Sequence, residues 1–116
     1  MTENEDLKQI GVSVNGKQIL KQIVKDYRWF DEEGIALKFA ICVALKYELE
    51  IDTSIRPETA QNVKSWDEDS IIKNLVLDSF PNEQPYRYCQ YLGDAGLKFI
   101  IGKIENEEWS ISSFLE

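Results

Sequence analysis

The segment that most constrains the fold of this chain is DEEGIALKFAICVALKYELEI, residues 31–51. Its central part, residues 35–45, carries a single charged residue, Lys38, although 29% of the whole chain is charged. On a helix with about 100° of rotation per residue, Lys38 falls on the same side as three apolar residues, so no face is cleanly polar. These three residues are Ile35, Cys42 and Leu45. Such a helix must be covered on most sides.

A membrane, the protein's own core or a partner can cover an apolar helix. The least charged part of the segment is far shorter than the roughly 20 residues that cross a bilayer, so we expect no membrane span. A central core helix is the first interpretation. An interface is the second, because a small protein has few elements with which to surround a helix. Ile35, Cys42 and Leu45 are therefore the candidate interface residues, for a homodimer or for a larger protein partner.

A first helix is predicted before this segment, because apolar residues recur at helical spacing between residues 16 and 29. Asn15 is its expected N-cap, with the preceding residues extended. Apolar residues also alternate around Asn15-Gly16, a pair typical of tight hairpin turns. A β-hairpin over residues 10–19 is therefore an alternative for this region.

The central helix is predicted over residues 32–48, with Asp31 as its N-cap. A third helix ends at Pro81, and Ser65 and Glu68 have the spacing of a capping box before it. Between these two helices the chain is more polar, which is typical of a turn or a short helix.

A last long helix is predicted in YRYCQYLGDAGLKFIIGKIE, residues 86–105, where Gly93 and Gly96 would let another helix approach closely. The tail, residues 107–116, is predicted as a short strand or an irregular cover. We expect one domain over residues 1–116, frayed over residues 1–6. Its fold class is mainly α, a small orthogonal bundle of four to five helices around a central apolar helix, with room for a short strand at either terminus.

The composition excludes several classes of function. A net charge of -8 at pH 7 opposes general attraction to nucleic acid or to an anionic membrane and favours a basic partner. The chain has no histidine, which excludes catalytic triads and metal sites that need one. Two cysteines are too few for a disulfide framework, so a cytoplasmic location is expected.

No motif predicts an enzyme, a cofactor or a metal. Cys42 is interpreted as a small apolar residue, and Cys89 lacks the surroundings that activate a thiolate, despite Arg87 beside it. The acidic clusters, 67–69 and 105–108, lack the spacing of an oxygen-ligand metal site. We therefore predict a protein that is not an enzyme.

A basic stripe stands out against the acidic background. Its four residues are spaced by four, four and three, which places them on one side of a regular helix. They are Lys17, Lys21, Lys25 and Arg28. A solvated helix face is the first interpretation, and contact with a phosphate backbone or an acidic partner is the second.

Two segments resemble a known family. FDEEGIALKFAICVALKYEL and the later YRYCQYLGDAGLKFI resemble the small accessory proteins encoded with bacterial DNA-modification and restriction systems, including phosphorothioation systems. The resemblance is carried by Phe39-Ala40, Tyr91 and Gly96-Leu97, and the chain departs from the pattern at Lys46-Tyr47, where the family has glycine. It implies a helical accessory partner of larger defence enzymes, which acts by protein contact.

The leading hypothesis is thus a non-enzymatic accessory protein that binds a larger protein partner, in keeping with three tryptophans and five tyrosines, residue types that anchor interfaces. It could serve as a regulatory component of a DNA-modification or defence system. A nucleic-acid-binding regulator that uses the basic stripe is the first alternative. An acidic DNA mimic that inhibits an enzyme is the other.

Overall fold

The structure is a computed structural model that describes residues 6–116, with side chains throughout except at Thr59 and Ala60. In chain order the elements are β1 (Gln9–Val12), α1 (Val14–Lys21), a π-helical turn (Gln22–Asp26), α2 (Glu33–Lys46), β2 (Glu58–Asn62), α3 (Val63–Trp66), α4 (Ile71–Ser79), α5 (Pro85–Glu107) and a 3₁₀-helix (Ile111–Leu115). The predicted class, a mainly α bundle around a central apolar helix with a short strand, is confirmed. Within residues 6–116, no helix is both long and apolar enough to cross a membrane.

The core is organised around the contact between α2 and α5. A methyl group added to Gly96 would lie 2.0 Å from the carbonyl oxygen of Ala40, and one added to Gly93 would lie 2.7 Å from a methyl carbon of Leu37. The two helices therefore approach through small residues, as the two glycines predicted. Ala40 and Leu37 are completely buried there.

The two strands form a small antiparallel sheet, in which Gln9 pairs with Asn62 and Val12 with Glu58. The register shifts between Ile10 and Gly11. At that point the Gly11 amide donates to the Gln90 side chain of α5 at 2.9 Å, and a Cβ on Gly11 would lie 2.3 Å from the Glu58 carbonyl oxygen. The bulge thus joins the sheet to the helix beneath it.

The alternative of a hairpin over residues 10–19 is wrong, because the strand that begins this region pairs with β2 and the chain turns at once into α1. The expected N-cap Asn15 is wrong as well. The hydroxyl of Ser13 accepts from the Gly16 amide at 2.9 Å and also donates to the buried carboxylate of Asp94 at 2.5 Å. Asp94 therefore orients the cap from another helix, and Asn15-Gly16 falls in the first helical turn.

The first helix also ends earlier than predicted. After Lys21 the chain takes a π-helical turn, in which the Tyr27 amide donates to the Gln22 carbonyl at 2.9 Å. Arg28 then has a φ of 56°, which a regular right-handed helix does not allow. The predicted helix over residues 16–29 is thus an α-helix and a wider turn in succession.

Two predicted caps are formed by other residues. Glu32, in place of Asp31, precedes α2, and its side chain makes no capping bond. The capping box of Ser65 and Glu68 is wrong, because Ser65 lies inside α3 and its hydroxyl donates to the Asn62 carbonyl. The buried carboxylate of Asp67 caps α4 instead, accepting from the amides of Ile72 and Lys73 at 3.0 Å each.

The tail is a 3₁₀-helix that places Phe114 in an aromatic cluster, where the sequence predicted a short strand or an irregular cover. The Phe114 ring lies 4.9 Å from Trp109 and 6.0 Å from Trp29, measured between centroids. The ammonium of Lys46 donates to the Phe114 carbonyl at 2.7 Å and holds the tail on α2. Of the three tryptophans, which the sequence suggested as interface anchors, Trp29 and Trp109 are thus partly buried against the core, and Trp66 is buried.

The amino-terminal end of α5 is capped by a distant residue. The carboxylate of Asp6 accepts from the amides of Tyr86 and Arg87, at 2.7 and 2.9 Å. The sequence predicted that residues 1–6 are frayed. Residues 1–5 lie outside the described residues, and Asp6 is held by these two bonds.

Candidate functional site

The three candidate interface residues of α2 differ in how much of each is exposed to solvent. Ile35 is 45% exposed, Cys42 is exposed and Leu45 is half-buried in the isolated chain. The opposite side of the helix is fully covered by the rest of the bundle. Its buried residues are Ala36, Leu37, Ala40, Ile41, Val43 and Ala44. Part of α2 is therefore available for a partner, and the interface itself stays a prediction.

A second exposed apolar surface lies on α4. Ile71 is 60% exposed and Leu75, one turn later, is 43% exposed. Their neighbours Ile72 and Val76 are buried in the core. This short helix is thus apolar on two sides, and the bundle covers one of them.

Trp66 lies between the two helices and joins them. Its indole Nε1 donates to the Gly34 carbonyl in the first turn of α2, at 2.8 Å. The ammonium of Lys38 stands 5.7 Å from the centre of its ring, a distance suited to a cation–π contact. Trp66 is 6% exposed, so the floor that it forms between α2 and the start of α4 is almost wholly buried.

Two depressions adjoin over this floor and share Lys38, Ser65 and Trp66. The first has a volume of about 430 Å³ and is also lined by Ile35, Glu32 and Glu33, among others. The second has about 310 Å³, and its further lining includes Glu68, Asp69 and Ile71. We call these two depressions together, as defined by the residues in this paragraph, the Trp66 groove.

The ends of the Trp66 groove are acidic. At one end Glu33 is paired with Lys17 at 3.4 Å, whereas Glu32 is exposed beside it. At the other end Glu68 and Asp69 are exposed. The groove therefore has one exposed isoleucine in each depression, Lys38, Ser65 and the buried Trp66 between them, and carboxylates at both ends.

Asp67 also borders the groove, but its carboxylate is turned into the protein. Besides capping α4, it accepts from the phenol of Tyr86 at 2.9 Å. Burial, followed by this bond, raises the pKa of Tyr86 to about 12. The pair therefore ties α4 to α5 and fixes one wall of the groove.

The basic stripe is only partly as predicted. The Lys17 side chain is half-exposed and contacts Glu33, whereas Lys21, Lys25 and Arg28 are exposed. The prediction that they share one side assumed a regular helix. The π-helical turn and the positive φ of Arg28 interrupt the regular helix after Lys21, so the spacing argument applies only to Lys17 and Lys21. Their contact with nucleic acid or an acidic partner stays a prediction.

The buried thiol and the buried carboxylates of the described residues take part in packing and in capping helices. Cys89 is completely buried, and burial raises the pKa of its thiol well above the usual range. Burial also raises the pKa of Cys42, so neither thiol is activated. The buried carboxylate of Asp94 is taken up by Ser13 and by Lys98, the latter at 2.9 Å. Among residues 6–116, no three carboxylates or thiols are grouped to hold a metal ion.

The sequence pointed to Ile35 as a candidate interface residue, which stays a prediction, but not to Trp66, Ile71 or Leu75. It predicted a third helix without distinguishing the exposed apolar residues of that helix from the buried ones. A signal was present, since residues 71, 72, 75, 76 and 77 are all apolar in a helix of nine residues. That is more than one buried face needs.

Comparisons with protein-family models, with curated proteins and with solved structures found no match to this chain. We therefore infer the function first from the exposed surfaces of the protein.

Proposed function

We propose that this protein is a non-enzymatic interaction protein, which binds a larger protein through the Trp66 groove and the adjoining apolar residues of α4. The observation that carries the proposal is the exposure of large apolar side chains on two neighbouring helices, namely Ile35, Ile71 and Leu75. Removing such side chains from water contributes roughly 25 cal/mol per Å². A partner that covers them would gain this contribution without any change in the fold.

The chemistry of the polar groups supports the same proposal. The buried carboxylates of Asp67 and Asp94 are engaged in capping helices, and the thiol of Cys89 lies inside the core. A catalytic site would require at least two such groups converging on open space. The exposed surface is better suited to binding than to a reaction.

We propose further that the partner belongs to a bacterial DNA-modification or defence system, and that the protein regulates it in the cytoplasm. This part rests on the family resemblance and on two free thiols, which are common in a reducing compartment. Ala40 and Gly96, which carry part of the resemblance, serve the packing of α2 on α5. Identifying the partner therefore tests whether the protein belongs to such a system.

The experiment is affinity capture from cells that produce the protein, comparing three baits. They are the unchanged protein, the double variant Ile71→Ser with Leu75→Ser, and Val14→Ser, which alters an apolar residue that is 59% exposed on α1. We expect one partner to be retained by the first and third baits and lost by the double variant. A DNA-modifying or restriction enzyme would support the assigned system. Identical captures by all three baits would contradict the proposed surface.

A second candidate function, binding of nucleic acid, is favoured by the surface around the π-helical turn. Lys21, Lys25 and Arg28 are exposed there, and Tyr27 is 38% exposed among them. Cations contact phosphates and an aromatic ring can stack on a base. This candidate predicts binding to single-stranded or duplex DNA that weakens with salt and with Lys21→Glu plus Lys25→Glu. No binding at low salt would remove it.

A further inference from the structure

The Trp66 groove has two exposed isoleucines, Ile35 and Ile71, between acidic ends, and this combination specifies the chemistry of its occupant. We propose that the groove binds a basic amphipathic segment of the partner, with large apolar residues in the middle and lysines or arginines on both sides. This inference rests on the proposed function, since it names the partner chemistry of the same surface.

The apolar contacts of the groove come from two exposed side chains. Ile35 is 45% exposed and Ile71 is 60% exposed, and the buried Trp66 lies between the elements that carry them. The bond of the Trp66 indole to the Gly34 carbonyl fixes Trp66, so this part of the groove is formed before anything binds. The two isoleucines favour a side chain such as leucine or phenylalanine over a polar one.

The charge of the bound segment follows from the two ends of the groove. Glu32 at one end and Glu68 and Asp69 at the other are exposed carboxylates. Lys38 is the cation between them, and its ammonium is placed over the Trp66 ring. Cations on both flanks of a bound segment would therefore meet carboxylates, while its apolar side chains would meet Ile35 and Ile71.

The same charges disfavour a second copy of this chain as the occupant. In a two-fold symmetric dimer the same surface is used by both subunits. Groove against groove would bring two sets of carboxylates into one interface, in a chain whose net charge is already -8. Like charges brought together in an interface cost several kcal/mol. A basic segment from another protein meets no such repulsion.

The test uses two fluorescent helical peptides of about 15 residues, a length at which helices become marginally stable in water. Both carry leucines at the same helical spacing, with lysines elsewhere in one peptide and glutamates in the other. Anisotropy titrations against the full chain should show at least about tenfold tighter binding of the leucine–lysine peptide. Ile71→Ser should weaken that binding about tenfold or more, which corresponds to about 1.4 kcal/mol.

Charge reversals distinguish the effect of the carboxylates in the groove from the effect of the protein's overall negative charge. Glu68→Lys with Asp69→Lys alters one end of the groove, whereas Glu50→Lys with Glu105→Lys makes the same change in net charge at exposed residues that do not line it. We expect the first pair to abolish most of the preference for the basic peptide and the second to leave more than half of the affinity. Circular dichroism confirms that each variant is folded.

Three results would overturn the inference. They are equal binding of both peptides, equal effects of the two charge reversals, or a dimer in light scattering that Ile71→Ser converts to a monomer, which would assign the groove to a second copy. If the peptide result fails while the capture experiment still shows a partner lost with Ile71→Ser and Leu75→Ser, only the partner chemistry is wrong. If both fail, the proposed function is wrong too.

Discussion

The two sides of α2 are similarly apolar in sequence but differ in what covers them. On the inner side, Ala40 is completely buried and meets Gly96 so closely that a single methyl group would not fit. On the outer side, Ile35 and Cys42 remain exposed. At Ala40 and Gly96 the inner side brings two helix backbones together, whereas the outer side leaves Ile35 partly exposed. Hydrophobicity therefore shows that a surface tends to be buried, and small residues on both helices show where two backbones meet.

The largest effect is expected from filling the inner contact. In Gly96→Ala, the added Cβ would meet backbone atoms of Ala40, which cannot rotate away, so α2 and α5 must separate. We expect a loss of about 4 kcal/mol or more, at the extreme of what overpacking costs. Chemical denaturation followed by circular dichroism measures it.

Gly102→Ala is the matched control on the same helix, because a Cβ there has no atom within 4 Å. Alanine is a better helix former than glycine, so this variant should gain up to about 1 kcal/mol. If Gly96→Ala were as stable as Gly102→Ala, the close approach of α2 and α5 would be contradicted.

How much of this could be predicted from the sequence differs between the two sides. The inner contact was partly predictable, since Gly93 and Gly96 interrupt an otherwise helical pattern and small residues at that spacing indicate close packing. The outer surface was only half predictable. Ile35 and Cys42 followed from the helical projection of α2, but Ile71 and Leu75 fit a core stripe equally well until the position of α4 is known.

The caps could not be predicted, and the reason is competition among similar residues. Residues 67–70 are all polar and each can cap a helix by sequence alone. Asp67 becomes the cap because it is also bonded by Tyr86, which is distant in sequence. In the same way Ser13 caps α1 instead of Asn15, because its hydroxyl is also bonded to Asp94. Tertiary contacts decide between local candidates of equal propensity.

A second pair of variants compares the two sides of α2 directly. Ile41 is completely buried and Ile35 is 45% exposed, so Ile41→Ala leaves a cavity and Ile35→Ala does not. We expect Ile41→Ala to cost about 3 kcal/mol and Ile35→Ala to stay within about 0.5 kcal/mol. Thermal unfolding of both variants measures the difference. Similar losses would mean that the outer side is covered, for instance by a second copy.

A smaller effect on stability is expected from pH. It acts through the hydrogen bond between Tyr86 of α5 and Asp67, the residue that caps α4. Burial and the bond to Asp67 raise the pKa of Tyr86 to about 12 in the folded protein, whereas a free tyrosine has a pKa of about 10. The folded state thus keeps a proton that the unfolded state loses. This contribution to stability is complete below about pH 10 and is lost as the pH rises towards 12.

Stability measured between about pH 9 and 12 should therefore fall more steeply in the unchanged protein than in Tyr86→Phe, which has no phenol to ionise. Tyrosine ionisation, followed by ultraviolet absorbance, should lose its latest phase in that variant. Tyr27→Phe is the control, because Tyr27 is partly exposed and lies after the π-helical turn that follows α1. Parallel pH profiles for the unchanged protein and Tyr86→Phe would contradict the assigned bond.

The smallest perturbation, modification of single thiols, compares the outer side of α2 with the buried core. Cys42 lies two turns after Ile35 on the outer side, whereas Cys89 of α5 is completely buried. A thiol reagent should therefore modify Cys42 in the folded protein and Cys89 only after unfolding. Because partial burial raises the pKa of Cys42, its reaction should be slower than that of a free cysteine at neutral pH. Cys42→Ser should remove the native reaction, and a native reaction at Cys89 would show that the inner contact opens.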